Sequence, residues 1–182
     1  MSRAAVFLDR DGTLIRDWHH VGRPEQVELL PGVGDAVRRL NEAGWPVIVV
    51  TNQSGIARGI FTQADYQRVR ARTEELLGEH GARLDGTYLC PHHPDFTGPC
   101  ECRKPGTLLY RQAAEAHALD LRGSWYVGDK LRDVLPARAL GGRGVLVPNE
   151  DTAALDIERA TKEFETASSL DEAVARVIES AE

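Results

Sequence analysis

No apolar run in the chain approaches the length of a membrane span, and the segment after Met1 has no apolar stretch of the kind that marks a secretory leader. The expectation is a cytoplasmic protein that crosses no membrane. Cysteine is scarce, at three in 182 residues. An odd number excludes a closed disulfide framework, and two of the three fall in Cys100-Glu101-Cys102, so the pattern points to metal ligation. Positive charge is in deficit. The formal net charge of −6 argues against broad binding to a nucleic-acid backbone, and no stripe of interleaved aromatic and basic residues offers bases a stacking surface. Low-complexity tracts and linker-like stretches are missing too. With 42% hydrophobic and 27% charged residues, the composition is that of an ordinary globular chain, and residues 1–182 are expected to form one domain with one core.

What is present centres on Phe7-Leu8-Asp9-Arg10-Asp11-Gly12-Thr13. The apolar run Ala5 to Leu8 reads as a buried strand, and two carboxylates two residues apart follow it, where alternate side chains at a strand end converge. Gly12 frees the backbone to turn tightly, and Thr13 stands where a hydroxyl can meet an anion held by the turn. This suits a magnesium ion and a phosphate. An EF-hand also opens Asp-x-Asp, but its glycine is sixth and a glutamate is twelfth, whereas here the glycine is fourth.

Further strands are expected at Pro46 to Val50, Thr87 to Leu89, Ser124 to Val127 and Val145 to Val147, with a short edge strand at Phe164 to Thr166. Helical spacing follows Pro31-Gly32 up to Gly44, and a capping pair of Thr62 and Asp65 opens a helix that ends near Gly81. Thr107 to Ala118 and Val134 to Leu140 are also helical in pattern, the latter on condition that Pro136 falls in its first turn. A capping box of Ser169 and Glu172 opens the last helix. Alternation of this kind predicts an α/β fold, a Rossmann-like three-layer domain with a mainly parallel sheet. Ligands of such sheets bind beyond the carboxyl ends of the strands, where Asp9, Asp11, Thr51, Lys104 and Asp129 all fall.

Four segments, Asp9-Arg10-Asp11-Gly12-Thr13, Thr51-Asn52-Gln53-Ser54-Gly55, Arg103-Lys104-Pro105 and Gly128-Asp129-Lys130-Leu131-Arg132-Asp133, resemble in order the four motifs of the haloacid dehalogenase-like phosphatases. The resemblance spans residues 5 to 148. Cys90-Pro91-His92-His93 and Cys100-Glu101-Cys102-Arg103-Lys104-Pro105 are similar to the zinc-bearing branch of that family, whose members act on heptose bisphosphates or on histidinol phosphate.

The resemblance implies Mg²⁺ and structural Zn²⁺ as cofactors and a small phosphorylated sugar as the partner, with no nucleic acid. Asp9 would be the nucleophile that forms an aspartyl-phosphate, and Asp11 the general acid and base. Asp9, the backbone carbonyl of Asp11 and Asp129 would hold magnesium, while Thr51 and Lys104 stabilise the phosphoryl group. Asp133 would orient Lys104. Cys90, His92, Cys100 and Cys102 make a four-ligand zinc set with no open position for water, although spacing alone also allows His93. Arg103 is read as an oxyanion clamp.

Neither insertion point of the family is long enough for a large cap domain, so loops must build the pocket. Asp17, His20, Asn52, Gln53, Ser54, Arg58, Arg103 and Lys130 are the expected substrate contacts. Of these, Arg58, Arg103 and Lys130 would suit a second phosphate. The tract Thr51 to Gly59 and Gly128-Asp129-Lys130 are similar to the members that act on heptose bisphosphates, and with a place for a second phosphate that resemblance implies removal of the 7-phosphate of a heptose 1,7-bisphosphate. Histidinol phosphate is the alternative, and its amine and imidazole would call for carboxylates. A catalytically silent binding module on the same scaffold is disfavoured by the intact set of nucleophile, acid, cation and metal ligands. The chain is expected to act as a monomer.

Overall fold

The computed structural model describes residues 2–180; the expected domain span reaches past these to Met1, Ala181 and Glu182, which lie outside the described residues. Six strands form one sheet: β1 (Val6–Leu8), β2 (Val47–Asn52), β3 (Gly86–Cys90), β4 (Trp125–Gly128), β5 (Arg143–Leu146) and β6 (Glu165–Thr166). Their order is β3-β2-β1-β4-β5-β6, and every pairing is parallel. Among the described residues there are seven α-helices, α1 (Val33–Glu42), α2 (Gln63–Glu79), α3 (Pro94–Thr97), α4 (Leu108–His117), α5 (Leu131–Leu140), α6 (Ala154–Ala160) and α7 (Leu170–Glu179), and a single 3-10 turn at Pro24–Gln26.

Strand alternation divides the apolar side chains between two cores. Val6, Leu8, Val47, Val49, Trp125 and Val127 face one side and pack with Val33, Ala36, Val37 and Leu40 of α1, Val69 and Leu77 of α2, and Val174 and Val177 of α7. Phe7, Ile48, Val50 and Tyr126 face the other, against Leu109, Tyr110 and Ala113 of α4 and Ala137 and Leu140 of α5. In that second core the Phe7 ring stacks on Tyr126 at 5.1 Å and meets Tyr110 edge-on at 5.2 Å. Each fully buried side chain of this size contributes about 1.5–3 kcal/mol.

The order places β4 beside β1 rather than beside β3, so the sheet reverses its winding between β1 and β4. Leu8 pairs with Val127, and the Asp9 N–H donates to the Val127 carbonyl at 3.0 Å. Asp9 and Asp129, 120 residues apart in sequence, are thereby brought to the same crevice.

Three local expectations change. Helix α5 begins at Leu131 rather than Val134, which puts Pro136 in its second turn. An earlier start is favoured by the Asp133 carboxylate, which accepts the Lys130 N–H at 3.0 Å; Pro136 then cannot donate to the Arg132 carbonyl. At α7 the box is half formed: Ser169 Oγ accepts the Glu172 N–H, but the Glu172 carboxylate turns to the Ser168 N–H and hydroxyl, both at 2.7 Å. Short helices α3 and α6 were not expected at all.

Candidate active site

Asp9 leaves β1 nearly buried, and Asp11 follows on a turn that only glycine completes comfortably. Gly12 has φ +84°, and a Cβ on it would stand 2.5 Å from Asp129 Oδ2. Lys104, 3% exposed, reaches into this floor from the segment before α4. Its Nζ lies 2.7 Å from Asp9 Oδ1, 2.8 Å from Asp133 Oδ1 and 2.8 Å from the Val50 carbonyl. Burial alone would pull the ammonium's pKa down, but Asp133 and Asp9 outweigh it and push it up, so Lys104 is a fixed cation.

Asn52 and Gln53 act as braces. The Asn52 side chain accepts the Lys104 N–H at 2.9 Å and donates to the Lys104 carbonyl at 3.3 Å, clamping that residue by its backbone. The Gln53 amide nitrogen donates both to Asp11 Oδ2 at 2.7 Å and to Thr51 Oγ1 at 2.8 Å, tying the β2 hydroxyl to the second carboxylate.

Arg10 received no role from the sequence, yet it holds both Asp11 oxygens, at 3.1 and 2.9 Å, and sits 5.5 Å over the Tyr66 ring. It is 3% exposed. An arginine between two functional carboxylates, pointing by alternation into the fold, needs a buried acid, and that was the available signal. Asn149 and Thr152 were also missed. Asn149 Nδ2 donates to the Gly12 carbonyl at 3.0 Å and to Asp129 Oδ2 at 3.1 Å, and Thr152 Oγ1 donates to the Asp129 carbonyl at 2.8 Å.

Asp129 itself is fully buried, and its pKa is pushed up to about 7 by burial and by the charges of Asp9 and Asp133, against the pull of Lys130 at 2.8 Å. Asp9, Asp129 and Asp133 place carboxylate oxygens within 4.8 Å of one another, and Asp129 Oδ1 has no hydrogen-bond partner among the described residues. A hard divalent cation fits such a set, since it relieves the crowding and satisfies the orphan oxygen. In the unfolded chain an aspartate ionises near pH 3.9, so the folded protein without magnesium loses stability from this group as pH rises from about 4 through 7. Thermal melts in magnesium-free buffer should therefore show wild type falling further between pH 5.5 and 8 than Asp129→Asn. Parallel pH slopes for the two proteins would refute this.

A cleft of about 180 Å³ opens over the carboxylates, lined by Asp9, Asp11, Asp17, His19, His20, Val21, Asn52, Gln53, Ser54, Arg103, Lys104 and Arg132. Of the residues expected to contact substrate, Asp17, His20, Asn52, Gln53, Ser54 and Arg103 line this cleft. Arg58 and Lys130 do not line it. Arg58 bonds His93 Nε2 at 2.9 Å and lies 5.1 Å over Phe96, and Lys130 is spent on Asp129. Arg132, unassigned in the sequence although it stands inside the fourth motif, lines the cleft in their place. His19 and His20 both have left-handed backbone, φ +53° and +71°, at about 1–2 kcal/mol each, and the Asp17 carboxylate accepts the His19 N–H at 2.9 Å.

One wall of the cleft adjoins a cluster of Cys90, His92, Cys100 and Cys102, whose ligand atoms all lie within 4.8 Å of one another. His92 presents Nδ1, 3.2 Å from Cys102 Sγ, while His93 turns away to cap α3 by accepting the Asp95 N–H. Cys90 and Cys102 are 2.8 Å apart, well beyond the ~2.05 Å of a disulfide, and burial pushes the Cys90 thiol up. Three thiols and an imidazole packed this closely match a soft, four-coordinate metal site. Arg103 follows directly, its guanidinium donating to the His92 carbonyl at 3.3 Å; burial, and then Arg132, pull its pKa down.

The model of the haloacid dehalogenase-like hydrolase family matches residues 6–78, and a second, HAD-hydrolase-like, matches residues 101–173. The chain belongs to the haloacid dehalogenase-like hydrolases. Among its relatives, the D-glycero-beta-D-manno-heptose-1,7-bisphosphate 7-phosphatase of Haemophilus ducreyi is 42% identical over 146 residues, 78% of this chain and 80% of that protein. The enzyme of the same name from Yersinia pestis is 43% identical over 149 residues, covering 79% of each. A crystal structure of the D,D-heptose 1,7-bisphosphate phosphatase from B. bronchiseptica, complexed with magnesium and phosphate, superposes with a TM-score of 0.87 at 32% identity over 97% of this chain and 99% of that one. The chain is a phosphoric monoester hydrolase.

Proposed function

We propose that this chain removes the 7-phosphate of D-glycero-D-manno-heptose 1,7-bisphosphate and leaves the 1-phosphate in place. The observation that carries the reading is the meeting of Asp9, Lys104, Asp133 and Asp129 beneath a cleft whose upper wall presents guanidinium groups. The names of the relatives support the choice of sugar.

Asp9 and Asp129, with the backbone carbonyl of Asp11, would hold magnesium, which when bound gathers the charge of the transferring phosphoryl group. Lys104 takes one oxygen of Asp9 and adds a fixed positive charge beside the phosphoryl oxygens, and Thr51 offers its hydroxyl. A carboxylate oxygen of Asp9 forms a bond to phosphorus as the bond from phosphorus to the C7 oxygen breaks, and Asp11 gives its proton to that alkoxide. Asp11 then takes a proton from water as the water attacks phosphorus. The aspartyl bond breaks, phosphate leaves, and the Asp9 carboxylate is restored. Arg10 and Gln53 keep Asp11 aimed through both proton transfers.

Zinc held by Cys90, His92, Cys100 and Cys102 would be structural, because four protein ligands leave no position for a reacting water. No described helix is long and apolar enough to cross a membrane, and a highly charged sugar bisphosphate is a metabolite of the cytoplasm, where we place the reaction. Every group named comes from one chain, so the reading takes the monomer as sufficient.

A histidinol phosphate specificity is less well supported, since the one suitable carboxylate on the rim, Asp17, is occupied by its own loop. Arg103→Ala should lower kcat/KM for the heptose bisphosphate by about 1.5–3 kcal/mol, the scale of a charged hydrogen bond, with a smaller effect on a small monophosphate. Steady-state kinetics on both heptose anomers and histidinol phosphate test the assignment. A wild-type preference for histidinol phosphate would overturn it.

A further inference from the structure

Asp129 has two carboxylate oxygens in unequal surroundings. Oδ2 accepts from the Lys130 ammonium at 2.8 Å and from the Asn149 side-chain amide at 3.1 Å, whereas Oδ1 is buried and has no hydrogen-bond partner among the described residues. The donors on one oxygen thus decide that the other is left for a cation. These two donors differ in kind. Lys130 reaches Asp129 from the next residue on a flexible four-carbon stem. Asn149 is fixed on every side. Its Oδ1 accepts the Asp151 N–H at 2.9 Å, its own N–H donates to Thr152 Oγ1 at 2.9 Å, and the Thr152 N–H donates back to the Asn149 carbonyl at 3.1 Å. With the amide oxygen so used, the amide nitrogen must face Asp129 and the Gly12 carbonyl, 3.0 Å away, and both of these are acceptors. Thr152, 8% exposed, gives its hydroxyl proton to the Asp129 carbonyl at 2.8 Å. The segment Asn149 to Thr152, just beyond β5, therefore holds Asp129 by main chain and side chain at once and ties it to the turn that carries Asp11. Neither Asn149 nor Thr152 lines the cleft, so neither is placed to touch substrate.

We propose that Asn149, supported by Thr152, is a positioning residue for magnesium: it holds Asp129 Oδ2 so that Oδ1 is the oxygen presented to the cation, and it locks Asp129 to the Asp11-Gly12 turn. The segment beyond β5 thereby sets how tightly the cation is held and leaves substrate binding alone. This rests on the magnesium reading above, but not on the identity of the sugar.

The experiment titrates magnesium into the full chain, dialysed free of it, in wild type, Asn149→Ala, Thr152→Val and Thr152→Ser. Binding of the metal alone is read by calorimetry, and its half-saturation by turnover of nitrophenyl phosphate. Asn149→Ala should weaken magnesium binding about 10- to 100-fold, the scale on which groups that orient a metal ligand act, while kcat at saturating magnesium and KM for nitrophenyl phosphate each change less than about threefold. Thr152→Val, nearly isosteric but without the hydroxyl, should weaken it about three- to tenfold, the scale of one hydrogen bond, and Thr152→Ser, which keeps the hydroxyl, should bind as wild type does. Melting curves without magnesium check the folding of each variant, and if Asn149→Ala does not fold, the Thr152 pair carries the test. An Asn149→Ala protein that binds magnesium as tightly as wild type, or equal losses in Thr152→Val and Thr152→Ser, overturns the positioning role. A wild type that neither binds magnesium nor needs it would overturn the metal reading itself, so the two failures are distinguishable.

Discussion

Asp9→Asn is expected to abolish turnover to below detection. The amide is nearly isosteric and Lys104 keeps Asp133 and the Val50 carbonyl as partners, so the floor of the site should survive the change. The nucleophile does not: an amide cannot form the acyl phosphate. Asp11→Asn should behave differently, losing roughly 10²- to 10⁴-fold on a sugar phosphate, because its task is proton transfer to a poor leaving group. With nitrophenyl phosphate, whose leaving group needs no proton, the first step of Asp11→Asn should largely recover and release one equivalent of nitrophenolate in a burst before slow hydrolysis. Folding of both variants is checked by their melting curves. A near-normal rate in Asp9→Asn would sink the assignment of nucleophile, and a burst-free Asp11→Asn with unchanged leaving-group dependence would sink that of the acid.

Loss of the cysteine-cluster metal ranks second in expected effect. Metal analysis of the purified protein should give about one zinc per chain, retained through dialysis against magnesium buffer. Cys100→Ser and Cys102→Ser should each lower that content and the activity. Structural zinc sites contribute apparent binding free energies of about 10–16 kcal/mol in isolated peptides, so a loop built on one is strongly metal-dependent. Here the damage should be unequal. Lys104 is clamped by Asn52 and by two carboxylates, whereas Arg103 depends on the His92 carbonyl within the cluster itself. Activity on a bisphosphate should accordingly fall further than activity on a small monophosphate. Full zinc with full activity in either variant would mean that something else holds the wall.

Much of this architecture was legible in the sequence because its signals are local. The β-branched run at Val47 to Val50 could only be a strand covered on both faces, and Thr62 with Asp65 named the start of α2. The carboxylates, Lys104 and the cluster of Cys90, His92, Cys100 and Cys102 were legible because metal and phosphate chemistry demand particular residue types at particular spacings. The remaining features are matters of direction rather than type. Nothing local says that Arg58 bends toward His93, that Lys130 is consumed by Asp129, or that Arg132 faces the cleft; the last two follow from where α5 begins. The early start of α5 was itself hidden by Pro136, whose penalty in a second turn is outweighed by the cap that Asp133 supplies and by burial of Val134, Ala137 and Leu140. Asn149 carries no motif, and its role exists only once two distant segments meet.

That meeting has a consequence for the order in which the protein can become active. Asn149 reaches Gly12 across 137 residues, and Lys104 reaches Asp9 across 95. During synthesis the strand carrying the nucleophile emerges first, its neighbour β4 and the Asn149 brace emerge much later, and contacts of such long sequence separation close slowly. The carboxylates therefore spend the period of chain growth exposed and uncrowded, without the cation or the braces that make them reactive. Competence therefore waits on β4 pairing with β1 and on Lys104 and Asn149 reaching Asp9 and Gly12.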